Sequence, residues 1–189
     1  MKERIRQILS QRERKDITIT DTPLAPAAVL LPLYEKEGEY HILFTRRTEK
    51  VEYHKGQICF PGGGQDEGDK SLEETALREA FEEIGVRPQD VEILGQLDSI
   101  GTISSGFLIT PFVALIPHPY KFEVNADEVE ELVEVPISAL RDKGNYREEV
   151  GLYQGRPFRS SIYQYQGKVI TGATAGILKQ FLELLFAGD

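Results

Sequence analysis

The sequence predicts one domain of the α+β or mixed α/β sandwich class, and three observations carry that prediction. Short segments in which apolar and polar residues alternate recur along most of the chain, the pattern of half-buried strands. Only 72–84 and 174–186 show a broad apolar stripe at helical spacing. The 189 residues, 40% hydrophobic and 28% charged, suffice for one packed core and leave little room for two.

Residues 1–20 read as a charged helix or arm, with Ile5, Ile8 and Leu9 as a narrow apolar stripe, ahead of a single domain over 21–189. The basic residues of 1–15 are followed by no apolar run long enough for a secretory signal. Ala25–Tyr34 is an apolar run interrupted by Pro26 and Pro32, and Glu39–Thr48 alternates as a strand, so the two form a hairpin across the turn at Glu35–Gly38. Gln57–Phe60 is a short strand that ends at Pro61-Gly62-Gly63-Gly64, read as a loop. A helix follows over Leu72–Ile84. Val91–Ile100 and Phe107–Ile116 are long strands, the second placed by Pro111 at an edge or a bulge. Val129–Val135 is a strand, with Pro136 opening a short helix at Ile137–Leu140. Phe158–Tyr165 and Lys168–Ile170 form a hairpin over Gln166-Gly167, and an amphipathic helix closes the chain at Thr174–Phe186.

Lys and Arg number 22 against 31 Asp and Glu, a net charge of −9, which argues against nonspecific nucleic-acid binding because that rests on neutralising phosphates. A lone Cys59 excludes an internal disulfide and a cysteine-rich zinc site, and fits a reduced, cytoplasmic setting. No run approaches the roughly 20 apolar residues of a membrane-spanning helix, so no membrane partner is expected.

The helix at 72–84 carries the chemistry. Ser71 and Glu74 form a capping box, Gly85 suits a left-handed C-terminal cap, and Leu77, Phe81 and Ile84 supply a buried stripe beside the small Ala76 and Ala80. Opposite them, Glu79, Glu82 and Glu83 stand at i, i+3 and i+4, so three carboxylates share one patch and repel one another. Arg78 relieves part of that. A divalent cation relieves the rest, and an all-carboxylate set suits Mg²⁺ or Mn²⁺. Next to a glycine-rich segment that lets backbone approach a ligand closely, such a set points to reactions at phosphorus. The plain alternative is a solvated acidic face.

Gly63 through Val86 resembles the Nudix box, G-x5-E-x7-R-E-U-x-E-E-x-G-U with U aliphatic. Its second half matches as Arg78-Glu79-Ala80-Phe81-Glu82-Glu83-Ile84-Gly85-Val86, whereas Asp69 stands where the first half has Glu, with eight residues before Arg78. The lengthened box is similar to that of the coenzyme A diphosphatase branch, whose signature L-L-T-x-R-S-x3-R-x3-G-x3-F-P-G-G is met by Leu43-Phe44-Thr45-Arg46-Arg47-Thr48, Gly56 and Phe60-Pro61-Gly62-Gly63. Glu52 replaces its second Arg. Ser105–Pro111 and Ile170–Ala175 are also similar to segments of that branch, with Thr171 in place of Trp and Gly176 in place of Arg.

That resemblance implies the Nudix fold, a mixed sheet sandwiched between helices, and metal-dependent hydrolysis of coenzyme A or a derivative to 3′,5′-ADP and a phosphopantetheine species. It assigns Glu79, Glu82 and Glu83 as metal ligands, Glu79 also to the attacking water, and Arg78 to orienting a box carboxylate. The carbonyl of Gly62 or Gly63 is a further candidate ligand, and Glu128 is the candidate carboxylate from a distant loop. Arg46, Arg47 and Lys55, with Gly62 and Gly63, are candidates for holding the diphosphate. Strand alternation keeps Arg46 and Arg47 from facing the same cleft. His54 is a weaker candidate for proton transfer, and Tyr163 and Tyr165 for stacking on a base. The resemblance also implies a homodimer as a common assembly. Two other readings stay open: the same chemistry on ADP-ribose or another nucleoside diphosphate derivative, and a Nudix-like module that binds nucleotide without cleaving it.

Overall fold

A computed structural model describes residues 1–17, 23–50, 55–102, 105–153 and 156–187. In chain order the elements are α1 (Lys2–Ser10), β1 (Asp16–Ile17), β2 (Ala25–Lys36), β3 (Glu39–Arg47), β4 (Ile58–Cys59), β5 (Gly62–Gly64), α2 (Leu72–Ile84), β6 (Glu92–Gln96), β7 (Ser99–Gly101), β8 (Phe107–Leu115), β9 (Val129–Pro136), α3 (Ile137–Arg141), β10 (Tyr146–Tyr153), β11 (Arg156–Tyr165), β12 (Lys168–Ile170) and α4 (Gly172–Leu185). The fold is the mixed α+β arrangement that the sequence predicts. Glu52 and His54 lie outside the described residues.

The backbone of the fold is β2, whose whole middle is buried because both of its faces are covered. It pairs in parallel with β8 from Ala25↔Phe107 to Leu33↔Leu115, and antiparallel with β3 across the expected hairpin. The main sheet runs β1-β7-β8-β2-β3-β4, with β5 also on β2, β6 on β8 and β9 on β3. Alternation along β2 divides the core. Ala28 and Leu30 face Ala76 and Ala80 of α2, whereas Leu31 and Leu33 join Ile177, Leu178 and Phe181 of α4 with Ile5 and Leu9 of α1. A second sheet, β10-β11-β12, packs through β11 on that α4 side. No helix among the described residues is long and apolar enough to cross a membrane.

Four local expectations give way to packing. Val91–Ile100 is two strands, with a register shift between Ile93 and Gly95 and a break at Leu97-Asp98. Asp98 is drawn out of the ladder by the backbone N–H of Lys15, by Arg12 and by Gln180. Pro111 sits inside the sheet, between β2 and the β6/β7 side. Its carbonyl accepts from Leu97 N–H at 2.9 Å, so the N–H it lacks falls at the break between β6 and β7, where no ladder bond is lost. Residues 62–64 form a strand against Ala27–Val29 rather than a free loop, since a Cβ on Gly62 would lie 2.3 Å from the Ala28 carbonyl oxygen. Phe81 is 51% exposed, and the buried face of α2 is Thr75, Ala76, Ala80, Glu83 and Ile84.

Glu148 of β10 binds Lys179 of α4 at 2.7 Å and Arg159 of β11 at 3.1 Å, and accepts from the Tyr146 hydroxyl at 2.8 Å. The lysine, then the tyrosine and arginine, hold its carboxyl down at about 2. A folded value below the unfolded one stabilises above the unfolded range and is lost as pH falls toward the folded value. Glu148→Gln is therefore expected to lower Tm at pH 7, with the difference from wild type shrinking as pH drops from about 4.5 toward 2, followed by thermal melts across that range.

Candidate active site

The ends of α2 are fixed as its sequence requires. Ser71 Oγ accepts from Glu74 N–H at 3.2 Å, while the Glu74 carboxylate reaches back to Lys70 N–H at 2.8 Å, one residue before the cap. Gly85 takes φ 71° and its N–H returns to the Phe81 carbonyl. With both ends set and alanines against β2, the helix lies close to the sheet, and its carboxylates meet the glycine strand.

That contact is tight. A Cβ on Gly63 would stand 2.6 Å from the Glu79 carboxylate, so any larger residue there would push that carboxylate out of its present place. The Gly62 backbone N–H lowers the proton affinity of Glu83 by donating to it. Glu83 is 1% exposed and Glu79 largely covered, but Glu82 points outward with its side chain 51% exposed, so the three do not converge equally. Burial dominates the chemistry of Glu83 and Glu79. Desolvation pushes Glu83 up to about 8, with Glu79 and Glu128 adding to it and Arg47 opposing, and the same desolvation raises Glu79.

Arg78 is the hub. Its Nε and Nη2 grip both oxygens of Asp69 at 3.0 Å each, its Nη1 reaches Glu79 at 2.8 Å and Glu82 at 3.0 Å, and its Nη2 also meets the Gly64 carbonyl at 3.1 Å. All five N–H donors of a guanidinium can be used in that set. The arginine, with the Thr75 hydroxyl and Asp66 N–H, holds Asp69 far below the carboxylate range. Asp69, absent from the sequence-derived candidates, is thus the group that aims Arg78. Its position in the box is visible in the sequence, one residue further from Arg78 than the box's usual Glu.

Arg47, from the end of β3, points the other arginine into the site, with Nη1 3.3 Å from Glu83 Oε1. Arg46 turns to the opposite face of β3, where its Nε and Lys168 Nζ share Glu131 Oε1 at 2.6 and 2.7 Å, away from the helix carboxylates. Alternation along β3 dictates that split. Lys55 is exposed at the turn before β4. Tyr163 is core, its ring 5.0 Å from that of Tyr146, so it is not available to stack on a base. Tyr165 accepts from the side chain of Gln166. Glu128 lies close enough for its charge to bear on Glu79 and Glu83, its loop tied down by Thr48 N–H to the Glu128 carbonyl at 2.9 Å. Asn125, unforeseen, joins the parts, with its N–H on the Glu83 carbonyl and its Nδ2 on Glu128 Oε1 at 3.1 Å.

Among the described residues, no three acidic, His or Cys side chains are already gathered as a cation cage. The reason is electrostatic: Arg78 holds Glu79 and Glu82, and Arg47 holds Glu83. The donor set nonetheless fits a divalent cation. Glu83 Oε2 is buried without a hydrogen-bond partner, and it stands among hard oxygen donors beside side-chain-free backbone.

A NUDIX domain model matches residues 23–150. The uncharacterized Nudix hydrolase NudL of Photorhabdus laumondii is 40% identical over 83% of each chain, and that of Pectobacterium atrosepticum 40% identical over 82% of this chain and 79% of its own. Among solved structures, a MutT/nudix family protein from Enterococcus faecalis superposes with a TM-score of 0.56 at 18% identity, covering 93% of this chain and 66% of its own. A C. elegans Ap4A hydrolase does so with 0.54 at 16%, covering 62% and 83%. Through the domain match and these relatives, the chain belongs to the Nudix hydrolase family.

Proposed function

We propose that the chain hydrolyses the diphosphate bond of coenzyme A or a derivative, releasing 3′,5′-ADP and a phosphopantetheine species. The observation that supports hydrolysis at phosphorus is the buried Glu83 carboxylate with a free oxygen, pressed with Glu79 against a strand of glycines. The coenzyme A assignment rests on Phe60-Pro61-Gly62-Gly63 and the residues in register before it.

In this reading Glu79, Glu83 and Glu128, with Glu82 at the rim and a carbonyl of Gly62 or Gly63, hold Mg²⁺ or Mn²⁺. A cation held there would supply Lewis-acid chemistry, making the attacking water more acidic and offsetting charge developing on the phosphates. Glu79 accepts the proton from the attacking water, since desolvation already raises its affinity for one. Arg78, fixed by Asp69, keeps Glu79 in place. Arg47 and Lys55 take the phosphate oxygens, Arg47 by its planar fork. Arg46, turned onto Glu131, drops out of the diphosphate contacts. Glu52 and Gly176, where the coenzyme A branch has Arg, favour ADP-ribose as the second substrate to test.

Chromatographic assay of coenzyme A, acyl-coenzyme A and ADP-ribose, each with Mg²⁺ and with Mn²⁺, identifies the products and the scissile bond. Release of 3′,5′-ADP is expected, and turnover of ADP-ribose alone would transfer the function to that substrate. Glu83→Gln is expected to cut turnover at least 100-fold, equivalent to about 2.7 kcal/mol at the transition state. Melting in the presence of a chelator checks the burial argument. A folded value raised above the unfolded one stabilises at low pH and loses that contribution as pH rises through the folded value. Wild type is thus expected to lose stability relative to Glu83→Gln between pH 5 and 8.5, by on the order of 2–4 kcal/mol, and to regain it with Mg²⁺.

A further inference from the structure

The two arginines of the site are engaged very differently. Arg78 meets Asp69 fork to fork, with both bonds at 3.0 Å and its remaining N–H groups used. Arg47 meets Glu83 through one nitrogen at 3.3 Å, and the mismatch strands an atom on each side: Arg47 Nε and Glu83 Oε2 are both buried without a hydrogen-bond partner. The neighbours do not correct it. The Arg47 side chain otherwise borders the Cys59 thiol, a weak partner, and Glu83 has the like charges of Glu79 and Glu128 nearby. Loss of Glu83 would leave the buried part of Arg47 without its one side-chain partner of any strength, yet the contact itself is poorly made. Such a contact is suited to exchange.

We propose that Arg47 is an interim partner of the Glu83 carboxyl, released when a divalent cation takes that group, and that the freed guanidinium then binds an oxygen of the substrate's phosphates. Resting on the metal-dependent diphosphatase reading, this adds an order to it: the cation opens the anion site as well as contributing charge. A guanidinium next to a divalent cation is repelled by it, and a phosphate ligated to that cation is the nearest anion that can use the whole fork. Arg47 is held at the correct place for this exchange. Its own N–H and carbonyl are fixed to Gln57 and Gly56 at the turn that feeds the glycine strand, so only the side chain has to move.

The test is binding, with no turnover involved, of the non-hydrolysable α,β-methylene analogue of ADP, measured calorimetrically with and without Mn²⁺. Wild type, Arg47→Gln and Arg47→Lys are compared after checking that all bind Mn²⁺ and melt cooperatively. If Arg47 is occupied by Glu83 until the cation arrives, Arg47→Gln leaves the metal-free affinity within about twofold of wild type and weakens the Mn²⁺-dependent affinity at least tenfold, with Arg47→Lys between. Glu83→Gln, which frees Arg47, strengthens metal-free binding, and the gain disappears in the Glu83→Gln/Arg47→Gln double variant. Equal weakening with and without Mn²⁺ would show Arg47 to be an ordinary phosphate contact and overturn the exchange. So would the absence of any effect, or of analogue binding by Mn²⁺-loaded wild type. Failure of wild type to bind Mn²⁺ would instead strike at the metal-dependent reading itself.

Discussion

The site depends on how closely α2 lies to the sheet. Ala76 and Ala80 meet Ala28 with no exposure on any of the three, and opposite the carboxylates the partner strand carries no side chains at all. At that separation a glutamate on the sheet-facing side cannot stay in water. Glu83 and Glu79 are driven into the seam, and the raised proton affinity of both follows from geometry set by residues with no chemistry of their own. The glycines do more than make a turn. They are the space the carboxylates occupy, and Gly62 returns a backbone N–H to one of them.

Two guanidiniums keep this arrangement from flying apart, in a division of labour that their partners decide. Asp69 is almost fully covered and accepts from Thr75 and Asp66 as well as Arg78, so that corner has no loose polar atom and acts as a brace. Glu83, which has Arg47 and one backbone donor, keeps an empty oxygen. At the two ends of α2 the fold has therefore built one carboxylate that is satisfied, in the loop before the helix, and one in its last turn that is not. Only the second is in a condition to take a cation.

Much of this was legible in the sequence because it is local. The capping residues, the helix bounds, the β2–β3 hairpin and the arginine alternation on β3 follow from spacing alone, and the structure keeps them. What was not legible depends on neighbours distant in the chain. The three glycines read as a loop because nothing in them announces pairing with Ala27–Val29. β10 escaped notice because Val150 and Leu152 are exposed and its other residues are mostly charged or polar, leaving no buried alternation to detect. Phe81 has the period of a core residue, but the face with Ala76 and Ala80 packs on the sheet because those small side chains permit the close approach.

The loop that brings Glu128 shows how the remaining carboxylate is kept in step. Its backbone is bonded at both ends of the site: Glu123 N–H to the Ile84 carbonyl and Asn125 N–H to the Glu83 carbonyl, then Thr48 to the carbonyls of Asp127 and Glu128. The loop therefore spans from the last turn of α2 to the end of β3, the same two elements that supply Glu83 and Arg47. Asn125 then adds a side-chain bond to Glu128 itself. Any shift of α2 relative to β3 would therefore carry Glu128 with it, alongside Glu83 and Arg47. With a net charge of −9, an acidic protein gains little by attracting phosphates at long range. In the proposed reading a cation held among these acids would supply the missing attraction, and this loop, the glycine strand and the Asp69 brace hold the acids in place for it.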